Sequence, residues 1–96
     1  MLDEKFQHLL IQIIKEHLPT CKIFLFGSRA RSHHGSRSDI DLALDNGQAI
    51  PGHVLLEIKD AVEQSNVPFF VDIVDLLSTS DSLKKEIERD GVLWNS

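Results

Sequence analysis

Apolar positions change their period several times along the chain, and each period predicts an element. Over Leu2 to Leu18, Phe6, Leu9, Leu10, Ile13 and Ile14 recur at helical spacing. Asp3 and Glu4 suit the electropositive N-terminal end of that helix, and Pro19 stops it. Ile23-Phe24-Leu25-Phe26 is a continuous apolar run ending at Gly27, the pattern of a strand buried on both faces. Residues 28–38, SRARSHHGSRS, are polar, with Ser28 placed to open a short helix. From Asp39 to Asp45 the chain alternates, with Ile40, Leu42 and Leu44 on one face and Asp39, Asp41, Ala43 and Asp45 on the other. Asn46-Gly47 and Pro51-Gly52 mark a loop, after which Val54, Ile58, Ala61 and Val62 make one stripe of a helix over 53–65. Following Pro68, FFVDIVDL predicts a third strand over Phe69 to Leu76. Ser78 to Asp81 offer N-caps for a last helix carrying Leu83 and Ile87, and Gly91 suits its C′ position. Val92-Leu93-Trp94 is an apolar end that folds back or meets a partner.

The resulting order is α-β-(short α)-β-α-β-α, an α/β (α+β) domain with a small mixed three-stranded sheet flanked by about four helices. A helix lies between the second and third strands, so those two run parallel through a right-handed crossover. The shorter link between the first and second strands favours antiparallel neighbours. With those directions, the end of the first strand at Gly27-Ser28, the start of the second at Asp39-Asp41 and the start of the third at Asp72 converge on one end of the sheet.

Length and charge narrow the function. Ninety-six residues are read as one domain, 1–96, with a modest core. The net charge of −5 argues against non-specific nucleic-acid binding, which needs clustered Lys and Arg. Only Arg29, Arg31 and Arg37 form a local basic patch, enough for a few phosphates. No apolar run approaches the roughly 20 residues of a membrane span. The start, MLDEKFQ, lacks the basic and apolar segments of a signal peptide, so a cytoplasmic protein is expected, with no membrane association. A single cysteine, Cys21, excludes an internal disulfide and a Cys-based zinc site.

Candidate chemistry lies at the converging ends. Asp39 and Asp41, one residue apart on a strand, project from one face roughly 6–7 Å apart. Such a pair repels itself unless a cation intervenes, and oxygen-only donors suit magnesium, which completes its shell with water and phosphates. A bare D-x-D also occurs as a merely wet strand face. Gly27-Ser28 alters that weighting, because a glycine at a strand end admits a phosphate to the backbone while the following amides and hydroxyl donate to it. Asp72 and Asp75 have opposite parity on the third strand, so only one can join the cluster. Asp72 is nearer the strand start, whereas Asp75 reads as a strand-end or cap residue. Adjacent His33-His34 rarely chelate one ion and read as exposed loop residues; His8, His17 and His53 are given no role.

The stretch GSRARSHHGSRSDIDLAL, followed by VDIVDL over 71–76, resembles the minimal nucleotidyltransferases. These are the small stand-alone members of the polymerase-β-like nucleotidyltransferase superfamily. The resemblance extends over most of the chain, including the order of elements and the GVLW ending. It departs in the loop, where members often have a glycine directly after GSRAR and this chain has Ser32, with Gly35 later. The resemblance implies a nucleotidyltransferase fold. It assigns Gly27 and Ser28 to phosphate binding, Asp39 and Asp41 to metal binding, and Asp72 to the third carboxylate, which holds metal and assists deprotonation of the attacking hydroxyl. Arg31, ahead of Arg29, is the candidate for the triphosphate. The implied reaction is attack of a hydroxyl on the α-phosphate of ATP with two magnesium ions and loss of pyrophosphate.

Small members of the family are typically encoded beside a helical HEPN-family protein, often a ribonuclease toxin, and act as its antitoxin. Some transfer AMP to a tyrosine of that partner. This chain contains no tyrosine, so a tyrosine acceptor must lie in another molecule. Three readings stay open here: an active antitoxin that modifies a HEPN-type partner, a non-catalytic nucleotide-binding scaffold of the same fold, and a small-molecule (antibiotic) nucleotidyltransferase with a separate acceptor-binding subunit. A homo-oligomer is compatible with each.

Overall fold

The computed structural model describes residues 4–27, 40–68 and 70–94. The first helix, α1, spans Glu4–His17 and buries Leu10, Ile13 and Ile14, the stripe its periodicity predicts. His17 closes its last turn by donating from Nδ1 to the Ile13 carbonyl at 3.0 Å. Strand β1 (Lys22–Phe26) follows, then β2 (Ile40–Asp45), α2 (Gly52–Glu63), β3 (Val71–Asp75), α3 (Asp81–Asp90) and β4 (Val92–Leu93). The short helix expected from Ser28 falls outside the described residues.

The sheet has the order β3-β2-β1-β4. β1 and β2 are antiparallel, with Phe26 opposite Asp41. β2 and β3 are parallel, with Asp41 opposite Asp72. Both directions are those that the connection lengths require. The third strand is shorter than its apolar run, yet ladder bonds continue past both ends: Ile40 N donates to Phe70 O at 2.8 Å, and Leu76 N to Leu44 O at 2.9 Å.

Two findings differ from expectation, one in the number of strands and one at Gly91. The C-terminal apolar segment folds back as a fourth strand, pairing antiparallel with β1 at Phe24 and Leu25. Trp94 N extends this pairing to Ile23 O at 2.8 Å. Two residues are too short for a period to show. Gly91, which turns the chain from α3 into β4, is extended at φ −71° rather than left-handed. A side chain there would meet the Ile87 carbonyl, so close approach rather than positive φ favours glycine.

Both faces of the sheet are covered. Ile23, Ile40, Leu42, Leu44 and Ile73 pack with α1 and α2 around Leu10, Ile14 and Ile58. The opposite parity, Phe26 and Ala43 with Phe24 and Val74, packs under Ile87 and Leu83 of α3. The acidic face of the second strand is therefore not wholly solvated: Ala43 is fully buried. α3 is positioned for this by Ser80, whose hydroxyl accepts from Leu83 N at 3.2 Å. Among the described residues, no helix is long and apolar enough to cross a membrane.

Candidate active site

Strand pairing lines up Phe26, Asp41 and Asp72 as a row across the α3 side of the sheet. The next row, Phe24, Ala43 and Val74, is part of the cluster packed against α3. Phe26 joins that cluster, while Asp41 is half-buried and Asp72 exposed. The apolar cluster thus backs a polar end of the same face. Adjacent strands lie about 4.8 Å apart, so in-register aspartates on β2 and β3 bring two carboxylates side by side. A cation held between two such carboxylates would relieve their repulsion.

Gly27 sits beside this pair at the end of β1, with φ +81°. A side chain is strained in that left-handed conformation. The space a Cβ would take is filled from β2: it would collide with Asp41 Oδ2 and lie 3.3 Å from Asp41 Cγ. The bare Cα of the glycine leaves room for the Asp41 carboxylate, which nests against it. Sequence reasoning missed this second constraint, which depends on strand register.

Asp75, the other acid of VDIVD, belongs to the opposite face and is buried. Its Oδ2 accepts from Ile50 N at 2.9 Å and Ser78 Oγ at 2.8 Å, and its Oδ1 from Leu77 N at 3.2 Å. It ties the loop before α2 to the end of β3. This division of labour follows from parity: Asp72 is presented at the open end, and Asp75 is used to hold backbone.

Of the residues expected in the site, Gly27, Asp41 and Asp72 come together. Ser28, Arg31 and Asp39 lie outside the described residues, as do Arg29, Arg37, His33 and His34. Among the described residues no group of three His, Cys, Asp or Glu side chains forms a metal-ligating set. The donors in place at the open end, carboxylates on neighbouring strands, are the all-oxygen chemistry that magnesium takes.

Beyond Asp72, where β3 is the outer strand, an open hollow of about 560 Å³ runs toward the end of α2. Val62, Val67, Pro68, Phe70 and Asp72 line it, with Lys59 at its α2 wall. Phe70 is 82% exposed. Its position was legible in part, since alternation gives it the parity of Asp72, but the hollow is made by α2 and was not.

This combination of mixed sheet, glycine turn and adjacent carboxylates falls within one family. The chain belongs to the polymerase beta nucleotidyltransferase family, described as "Polymerase beta, Nucleotidyltransferase", which it matches over residues 8–95. It is similar to a probable protein adenylyltransferase, MntA, of Haemophilus influenzae. The two are 29% identical over 90 residues, covering 92% of this chain and 79% of the relative. Its fold is similar to a crystal structure of a toxin-antitoxin with AMP-PNP, with a TM-score of 0.80 and 25% identity over 94% of this chain and 73% of that one. A tri-AMPylated Shewanella oneidensis HEPN toxin in complex with MNT antitoxin matches with a TM-score of 0.78 and 23% identity, over 99% of this chain and 73% of that one.

Proposed function

We propose that this nucleotidyltransferase-family protein moves AMP from ATP to a hydroxyl of a separate, helical HEPN-type protein, and serves as the antitoxin of that pair. The observation that carries the reading is the in-register pair Asp41 and Asp72, with Gly27 alongside, at the one end of the sheet face that α3 leaves polar. The relative named as a protein adenylyltransferase and the toxin-antitoxin complexes of the same fold support the acceptor and the partner.

In this reading Gly27 and Ser28 cradle the phosphates and Arg31 pairs with the triphosphate. Asp39, Asp41 and Asp72 hold magnesium, as two ions, which when bound offset phosphate charge and acidify the attacking hydroxyl. The hydroxyl oxygen bonds to the α-phosphorus, the bond from that phosphorus to the bridging oxygen breaks, and pyrophosphate leaves. Asp72, the exposed carboxylate, takes the hydroxyl proton. The reaction belongs in the cytoplasm, where a free, buried thiol such as that of Cys21 stays reduced.

The test is transfer itself. Labelled ATP and magnesium with the pure protein should give little self-labelling, and adding the protein encoded next to it should place label there. Asp41→Asn should abolish the label. A stable complex without transfer would favour a scaffold, and label on an antibiotic or RNA would reject a protein acceptor.

A further inference from the structure

β3 is an outer strand of the sheet. It bonds to β2 through alternate residues. Phe70 O accepts from Ile40 N and Leu76 N donates to Leu44 O, at the two ends of a parallel register that sets Ile40 beside Val71 and Leu44 beside Asp75. The peptide groups of Asp72 and Val74, between those ends, therefore face β2. Those of Val71 and Ile73 face away from it, and among the described residues nothing bonds to them. Their outward N–H and C=O groups recur every second residue, roughly 6.6 Å apart, which is the repeat of an extended backbone. The edge is open at its start, where Phe70, Val71 and Asp72 line the hollow that runs toward the end of α2. The opposite edge of the sheet, β4, is blunted by its length of two residues.

The hollow itself selects no single side chain, since Val62, Val67 and Pro68 are apolar and Lys59 and Glu63 are charged. A strand added to an edge needs no such selection, because its affinity comes from main-chain hydrogen bonds. Charge decides whose strand it is. Two copies of this chain paired through β3 about Ile73 would set their Asp72 carboxylates on one face as diagonal neighbours, roughly 7–8 Å apart. Each copy also carries a net charge of −5, and Glu63 adds an acid beside the edge. A segment with uncharged or basic side chains meets no such repulsion.

We propose that the outer edge of β3 docks an extended, acid-free segment of the partner protein as a fifth strand. Its amides donate to the Val71 and Ile73 carbonyls, its carbonyls accept from the Val71 and Ile73 amides, and the segment runs alongside Asp72. The inference rests on the partner of the transfer reading above and goes beyond it by assigning the edge on which that partner docks.

Amide hydrogen exchange on the full chain tests it. In the free protein the Val71 and Ile73 amides should exchange faster than those of Asp72 and Val74, which face β2. With the protein encoded next to it bound, exchange at Val71 and Ile73 should slow at least roughly fivefold, the equivalent of one hydrogen bond gained. Val71→Pro deletes an outward N–H at the first residue of an outer strand, where proline is tolerated. It should raise the Kd for the neighbouring protein at least roughly tenfold. Its Kd for ATP with magnesium should not change, and Val71→Ala should alter neither constant. A complex that leaves exchange at Val71 and Ile73 unslowed overturns the inference while the transfer reading stands. So does a folded Val71→Pro that binds the neighbouring protein as the wild type does. If Val71→Pro does not fold, the exchange comparison on the wild type decides. Slowing that appears in the protein alone as its concentration rises makes a second copy the occupant and overturns the inference. If the neighbouring protein neither binds nor accepts label, the transfer reading fails and the inference fails with it.

Discussion

Replacing Gly27 with alanine perturbs the site through one atom, and a second glycine supplies the control. Gly27 and Gly47 share the same φ of +81°. A Cβ at Gly47 meets nothing within 4 Å, whereas one at Gly27 collides with Asp41 Oδ2 and lies 3.4 Å from Asp41 Cβ. Left-handed backbone costs an L-residue roughly 1–2 kcal/mol, partly offset by about 0.4–1 kcal/mol of unfolded-state entropy. Gly47→Ala should therefore cost about 1 kcal/mol, and no more than about 1.6 kcal/mol. Gly27→Ala carries the same backbone cost plus the displacement of a carboxylate, an overpacking effect of roughly 1–3 kcal/mol. Urea denaturation of both variants should show that gap, equivalent to about 4–8 °C in Tm per kcal/mol for a domain of this size. In an Asp41→Ala background the gap should close, because the colliding atom is gone. Calorimetry with ATP and magnesium should show at least roughly tenfold weaker binding for Gly27→Ala, or about 1.4 kcal/mol, and none for Gly47→Ala. Equal destabilisation of the two glycine variants, with additive behaviour in the Asp41 background, would refute the nesting of this carboxylate on the glycine.

The two acids of β3 should separate cleanly. Asp75→Asn should cost about 1–3 kcal/mol in urea denaturation through its lost acceptors, yet keep the ATP–magnesium affinity of the folded protein. Asp72→Asn, at an exposed position, should change stability by no more than about 0.5 kcal/mol and abolish labelling of the acceptor. Ile87→Ala should cost roughly 2–5 kcal/mol, measured the same way, because Ile87 is the buried residue of α3 that seals Phe26 and Ala43. Burial, then the charge of Asp45, raises the Cys21 thiol from 9.0 to about 11. Its neutral form is favoured in the folded state, so its contribution to stability is complete below pH 9 and lost as pH rises through 11. Stability measured across that interval should fall more steeply for the wild type than for Cys21→Ala.

Local period and motif spacing determined much of this protein. The stripe of Leu10, Ile13 and Ile14, the alternation from Ile40 to Asp45 and the run after Pro68 are each written in residues that are neighbours along the chain. Their physical cause, burial of one face, acts at that same range. Connection lengths added the strand directions, and with them the convergence of Gly27, Asp41 and Asp72, since a parallel pair needs a crossover and a short link does not supply one. Other features required the assembled layers. β4 forms because β1 has an unpaired edge within reach of α3, a fact that two residues cannot encode. Ala43 is buried because α3 lands on that face, and parity alone names no helix to cover it. Asp75 holds Ile50 N across 25 positions of sequence. The nest of the Asp41 carboxylate on Gly27 and the hollow beside Phe70 likewise arise from register and helix placement. These are decided by the summed burial of the whole fold, to which no single segment holds the key.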